Sequence, residues 1–254
     1  MIKKAMITGV FYWAFLSTAT LGVVSIELDF PRDEDRSTYF ESGIDFTQKT
    51  GNVNSTALGI DFRLDSFSGK NHYVIMADKR SRSVSQVEYD DYLMVHLRFI
   101  RQLTEHMFSE LFIQNEQNPY VSLNQRQLYG LSFRHELLRR RNEFYDTTIF
   151  GATGMMLELE ALSSEPDDRR YRFNNYLNAR IVSDQRYEMQ LITYFQPMVG
   201  LFSDYRLLAE AKLSYHLNAY LRWNLSIEYR YDHMPPVGVQ QGDRLIKQSI
   251  SWEY

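Results

Sequence analysis

The sequence contains no cysteine in 254 residues, which removes disulfide frameworks and thiolate metal sites from consideration. Beyond its first two dozen residues it also lacks any run of about 20 apolar residues, so a helical membrane protein is excluded. Neither sign of charge dominates: 28 Lys and Arg stand against 32 Asp and Glu, for a net charge of -4. A nucleic-acid partner is therefore not expected. The six histidines show no pair at metal-binding spacing such as H-E-x-x-H, and no G-x-S-x-G is present. Neither an enzyme nor a bound metal or cofactor is expected on those grounds. Proline is scarce, with 6 residues; Pro119, Pro166, Pro197, Pro235 and Pro236 fall in or beside segments that read as connections, and Pro31 precedes the first strand.

Aromatic residues are abundant at 15%, including 18 Tyr, and they sit within alternating segments. From Ala219 to Asp232 one set of positions reads Ala219, Leu221, Trp223, Leu225, Ile227, Tyr229, Tyr231. The interleaved set reads Tyr220, Arg222, Asn224, Ser226, Glu228, Arg230, Asp232. A period of two is that of a β-strand with one apolar and one polar face. The chain ends with Ile250, Trp252 and Tyr254 on one face, which resembles the closing strand of outer-membrane β-barrels. There the terminal aromatic serves as a signal to the barrel assembly machinery, the partner this resemblance implies.

The first residues read as a targeting segment. Lys3 and Lys4 precede an apolar stretch from Ala5 to Leu16, followed by small residues, the pattern of a secretory signal peptide. Residues 1–22 are assigned to it, with cleavage between Ala19 and Ser25; a retained anchor is the alternative. Residues 23–37 form an acidic N-terminal extension in the periplasm, and 38–254 form the barrel. Twelve alternating segments follow, near 39–49, 54–66, 71–80, 90–102, 106–117, 122–137, 144–160, 169–183, 186–196, 204–217, 219–233 and 243–254. An even count returns both termini to the periplasm. The segments Ser81 to Tyr89, Ala161 to Asp168 and Met234 to Gly242 are expected as long external loops, and the run Arg139, Arg140, Arg141 as part of a periplasmic turn. The expected fold is an all-β transmembrane antiparallel barrel in the outer membrane of a Gram-negative bacterium, in contact with membrane lipid and lipopolysaccharide. A soluble β-sandwich is the alternative, but it needs neither aromatic belts nor a signal peptide.

A family resemblance rests on two stretches. Residues 41–55, with the turn Thr50-Gly51-Asn52, and the run Gln127-Leu128-Tyr129-Gly130-Leu131-Ser132-Phe133-Arg134 are similar to hairpins of the YdiY-like family of salt-induced outer-membrane proteins. The resemblance implies fold and location; its motifs carry no catalytic groups.

If the polar set of each strand faces inward, the lumen holds Arg126, Arg134, Arg172, Arg180, Arg206, Arg222, Arg230 and Lys212, with Glu210 and Glu228 among them. Arg63, Arg98, Lys247, Asp45, Asp61, Asp65, Glu110, Glu158, Glu188 and Glu253 share that parity. Twelve strands enclose a narrow space that long charged side chains can fill. Two readings follow: a narrow passive pore for ions or small solutes, with an arginine ladder that attracts anions, or an envelope barrel whose lumen is closed by ion pairs. A lipid-modifying enzyme is a third reading, and His135, placed between Phe133 and Leu137 on the lipid side, is its one candidate base.

Overall fold

The computed structural model describes residues 38–49, 55–84, 87–119, 122–163, 166–183, 186–218, 221–235 and 239–252. The assigned signal peptide, the N-terminal extension and Tyr254 lie outside them. The described chain is β-strand from end to end: β1 (Thr38–Lys49), β2 (Ser55–Ser68), β3 (Asn71–Val84), β4 (Val87–Gln102), β5 (Met107–Asn118), β6 (Leu123–Arg141), β7 (Tyr145–Leu162), β8 (Asp168–Phe173), β9 (Asn175–Ser183), β10 (Tyr187–Met198), β11 (Leu201–His216), β12 (Leu221–Asp232) and β13 (Gly242–Trp252). The strands form one antiparallel sheet in chain order, with β8 and β9 each pairing with β7 and β10 rather than with one another.

β8 and β9 occupy a single strand position. On β7 the register runs Met156 to Arg172 and then Ala152 to Tyr176, so Gly154 faces Asn174 without a slip. The Asn174 N–H still donates to the Gly154 carbonyl at 2.9 Å. Counted this way the sheet has twelve strands, the number the alternation implies, and the expected segment 169–183 is this joined strand.

Gly154 is required there. A Cβ on it would stand 2.1 Å from the Leu131 carbonyl oxygen and 2.6 Å from the Ser132 Cα, contacts with backbone that no rotamer change relieves. Gly154→Ala is expected to destabilise the folded protein by about 1–3 kcal/mol, the usual cost of overpacking, read as a lowered urea midpoint in vesicles. At Gly130, by contrast, the space is filled by a side chain, the Phe112 ring, at 2.1 Å from a built Cβ.

The two faces of the sheet are inverted relative to a soluble protein. Outward positions are apolar and exposed: Ile44, Phe46, Leu97, Leu111, Ile113, Leu131, Phe133, Leu177, Leu191 and Ile227 are examples. Inward positions are buried and rich in charge, including Arg63, Asp65, Arg98, Glu110, Arg126, Glu158, Arg172 and Arg206. In water this arrangement would expose its greasy side; in a bilayer it satisfies both faces, since lipid covers the outer one and neighbouring strands pair their backbone groups with one another. The sheet also curls on itself. Arg206 on β11 pairs with Glu158 on β7 across the interior, and Arg230 on β12 lies within electrostatic reach of Tyr92 on β4.

Aromatic rings collect outside in two groups. Tyr187 and Tyr215 meet at 4.8 Å between centroids near one end. Phe195, Tyr205 and Tyr231 form a chain at 5.6 and 5.7 Å near the other. Tyr187 and Phe195 are eight residues apart on β10, about 27 Å along the strand, or roughly 21 Å of depth at a typical tilt. That matches an apolar band between two girdles.

Three expectations are corrected. Residues 81–89 are not a long loop: β3 and β4 continue as a polar hairpin with only residues 85–86 between them, held in part by the outward pair Lys79 and Asp91. Arg139, Arg140 and Arg141 are not in a turn; they are the last residues of β6, paired with Thr148, Thr147 and Asp146. Pro197 lies inside β10, at a register shift between Pro197 and Met198, and the connection shrinks to Val199 and Gly200, the latter with φ at 87°. A bulge accommodates a residue without an N–H, so proline is tolerated there. Consequently the marked contrast between long and short connections is absent among these strands, residues 233–241 being the longest connection.

With twelve strand positions, Thr38 and Trp252 lie at the same end of the sheet, here termed the terminal end. Residues 142–144 and 184–186 turn there too, while 119–122, 163–167, 199–200 and 233–241 turn at the far end. Ile250 is paired with Trp223 and Trp252 with Leu221.

Candidate functional site

The interior charges are concentrated at the far end. Arg126 on β6 lies 3.6 Å from Glu116, 3.1 Å from Glu158 and 2.5 Å from Glu160. Arg172 on β8 reaches Glu158 at 2.7 Å and Asp204 at 2.9 Å. Arg206 on β11 contacts Glu158, Glu160 at 3.3 Å and Asp232 at 2.8 Å. Arg170, nearer the mouth, pairs with Asp168 at 2.6 Å and Asp204 at 3.6 Å. Four guanidiniums thus share six carboxylates, contributed by β5, β7, β8, β11 and β12.

This girdle is dry. Arg172 and Glu158 are 0% exposed, Arg126 1% and Arg206 3%, so side chains fill the space between them. Burying an ion costs several kcal/mol unless it is paired and hydrogen-bonded. The arrangement meets that demand at Glu158, whose carboxylate is held by three arginines, and at Arg172, whose guanidinium also donates to the Gln196 and Asp204 backbone carbonyls at 3.3 Å. Asn174, Ser132 and Gln196 extend the polar packing: the Asn174 amide donates to the Ser132 Oγ at 3.1 Å and accepts from the Gln196 Nε2 at 2.8 Å.

A second, sparser group lies toward the terminal end. Glu110 is fully buried, accepts from the Tyr176 hydroxyl at 2.7 Å, and has Arg134 at 3.6 Å and Arg98 at 3.8 Å. Arg134 also lies 3.8 Å over the Phe150 ring. Around this group the interior is partly apolar, with Phe112, Leu128 and Met156 in one cluster and Tyr176, Ile192, Tyr194 and Leu208 in another.

The remaining sequence candidates fall as follows. Arg180 pairs with Glu188 at 2.5 Å, Lys212 with Glu210 at 3.3 Å, and Arg230 with Glu228. Arg63 pairs with Asp65 at 2.6 Å, and His72 joins that carboxylate at 2.7 Å. Arg222 is paired in the register with His216 and Lys247 with Ser226. The described inward arginines are therefore not a bare anion ladder but partners in ion pairs. Glu116, Glu160, Asp168, Arg170, Asp204 and Asp232 belong to the girdle but were not singled out by sequence reasoning. Their parity matches that of Arg126, Glu158 and Arg206 on the same or adjoining strands, which was the available signal.

His135 is outward and exposed, with its Nδ1 3.0 Å from the His106 carbonyl oxygen, the setting of an interfacial residue at a strand end. Among the described residues no group of three or more His, Asp and Glu side chains could hold a metal ion.

A curled antiparallel sheet with an apolar exterior, aromatic girdles and a charged, buried interior defines a transmembrane β-barrel. Single-chain barrels of even strand number span the bacterial outer membrane, and that is the location of this protein. The chain belongs to the family described as "Protein of unknown function, DUF481", which matches residues 43–252 and is the YdiY-like family of the sequence resemblance. No curated protein matches the sequence. Similar solved structures include "KdgM porin", 13% identical, covering 85% of this chain and 98% of that one with a TM-score of 0.39. Another is "NanC porin structure in rhombohedral crystal form", 8% identical, covering 85% and 99% with a TM-score of 0.44.

Proposed function

We propose that this protein is a narrow, largely occluded passive passage for ions or small solutes, with the far-end girdle as its constriction. The supporting observation is the girdle itself: charges of both signs, contributed by strands on several sides of the lumen, meet in its interior. In a narrow, low-dielectric passage such charges act strongly on a permeating ion. Six carboxylates against four guanidiniums favour cations over anions at this level, the reverse of an arginine ladder. A second reading, a structural envelope barrel with a permanently closed lumen, is favoured by the complete burial of Glu158 and Arg172.

Single-channel recording of refolded protein separates the two. The wild type is expected to give a small conductance. Replacing Arg170 and Asp168 together by alanine, which opens the partly exposed mouth pair without stripping Glu158 of its three arginines, should at least double it. Silence in both proteins, at all voltages, would leave the structural barrel as the function.

A further inference from the structure

The terminal end of the β6–β7 hairpin carries a surface that the interior does not explain. At the register shift between Glu136 and Leu138 the strand bulges, and Leu137 and Leu138 are both exposed. Arg139, Arg140 and Arg141 follow, all exposed, and Phe144 and Tyr145 across the turn are exposed as well. Arg139 is engaged by Glu136 at 2.7 Å. Arg140 stands opposite Thr147 on the outward parity, whereas Arg141 stands opposite Asp146 on the parity of inward Phe150; among the described residues Arg140 has no ion-pair partner within 4 Å.

The depth of this patch follows from the register. Tyr145 pairs with Ser183, Ser183 with Tyr187, Tyr187 with Tyr215, and Tyr215 with Trp223. The basic run therefore adjoins the row that carries the terminal-end aromatic girdle, where headgroups begin. Directly toward the membrane from it is an open outer trough of about 370 Å³, lined by Met107, Phe133, His135, Leu137, Gly151 and Thr153. Gly151 contributes no side chain, and Leu137 leans over it. An apolar trough at acyl-chain depth, with Arg140 beyond it on the same outer face at headgroup depth, fits a ligand that is apolar at one end and anionic at the other.

We infer that this hairpin binds an anionic phospholipid of the periplasmic leaflet, with an acyl chain in the trough and the phosphate at Arg140. The continuity of the trough with the lipid-facing wall favours a lipid over a soluble acidic protein. The inference goes beyond the passage function and needs only the barrel's placement in the membrane, with the terminal end toward the periplasm.

The test is native mass spectrometry of the full protein released from nanodiscs made of an equimolar mixture of phosphatidylglycerol and phosphatidylcholine. Phosphatidylglycerol should be enriched among the retained lipids. Arg140→Gln should lower that enrichment about fivefold, the effect of one basic residue at an anionic surface, while Arg140→Lys should keep it and Arg141→Gln, on the opposite face, should leave it unchanged. Thr147→Glu, which sets a carboxylate opposite Arg140 without removing it, should reproduce the loss. Heat-modifiable migration checks that each variant is folded; failure of the wild type to show it would count against the barrel, not against this site. Equal enrichment in the wild type and the Arg140→Gln variant would overturn the inference. So would displacement of the lipid by inorganic phosphate or by a soluble acidic peptide, the latter pointing to a periplasmic protein partner.

Discussion

Glu158→Ala is expected to cost about 3–5 kcal/mol of stability, because it leaves Arg126, Arg172 and Arg206 confronting one another in a space closed to water. The carboxylate is completely buried and contacts all three guanidiniums. No other described acid has that number of arginine partners, so truncation elsewhere in the girdle should cost less. Equilibrium unfolding in urea, with the protein in vesicles, reads the effect as a lowered midpoint. A Glu158→Ala, Arg172→Met double variant should recover part of the loss, since it withdraws one of the stranded cations. A single variant as stable as the wild type would show that water reaches this part of the lumen and that the girdle is not a closed constriction.

Leu191→Arg is the second large effect. Leu191 lies on the outer face of β10, four residues from each of Tyr187 and Phe195, and so at mid-depth of the apolar band. A guanidinium there must be desolvated or must bend toward a headgroup, at about 2–4 kcal/mol for the midplane of a barrel. Asn224→Arg, on the inner face of β12 where the interior is partly accessible, should stay within about 1 kcal/mol of the wild type. Vesicle-based urea midpoints that drop equally at the two positions would contradict the assignment of faces.

Much of the fold was legible because the membrane imposes a period of two, and β12 displays it over its whole length. The places where reading failed are those where another constraint interrupts that period. On β6 the bulge puts Leu137 and Leu138 in succession, and three arginines follow, so the strand seems to stop where it merely shifts register. The β3–β4 hairpin beyond Lys79 has polar residues on both faces and no apolar stripe to follow. At Pro197 the rule that proline leaves a sheet is right in general but yields to the adjacent bulge. The interior was half legible. Alternation identifies which arginines face inward, but nothing local shows which acid each will meet, because Arg206 and Glu158 are 48 residues apart. Inward Phe112, Ile192 and Leu208 also blur the apolar-out, polar-in pattern from which the lumen was read.

The girdle also constrains how the barrel can be made. Its arginines and carboxylates come from β5, β6, β7, β8, β11 and β12, and although Arg206 meets Asp232 across the β11–β12 pair, it finds Glu158 only after several strands have been laid side by side. A chain delivered to the bilayer one hairpin at a time would carry these charges into hydrocarbon with only part of their pairing and no enclosing wall. The charges can lose their water only when the curved wall is nearly whole. Insertion and curling are thus bound into a single late event, and a half-built sheet is held back in an aqueous or sheltered setting by the same residues that later lock the finished one.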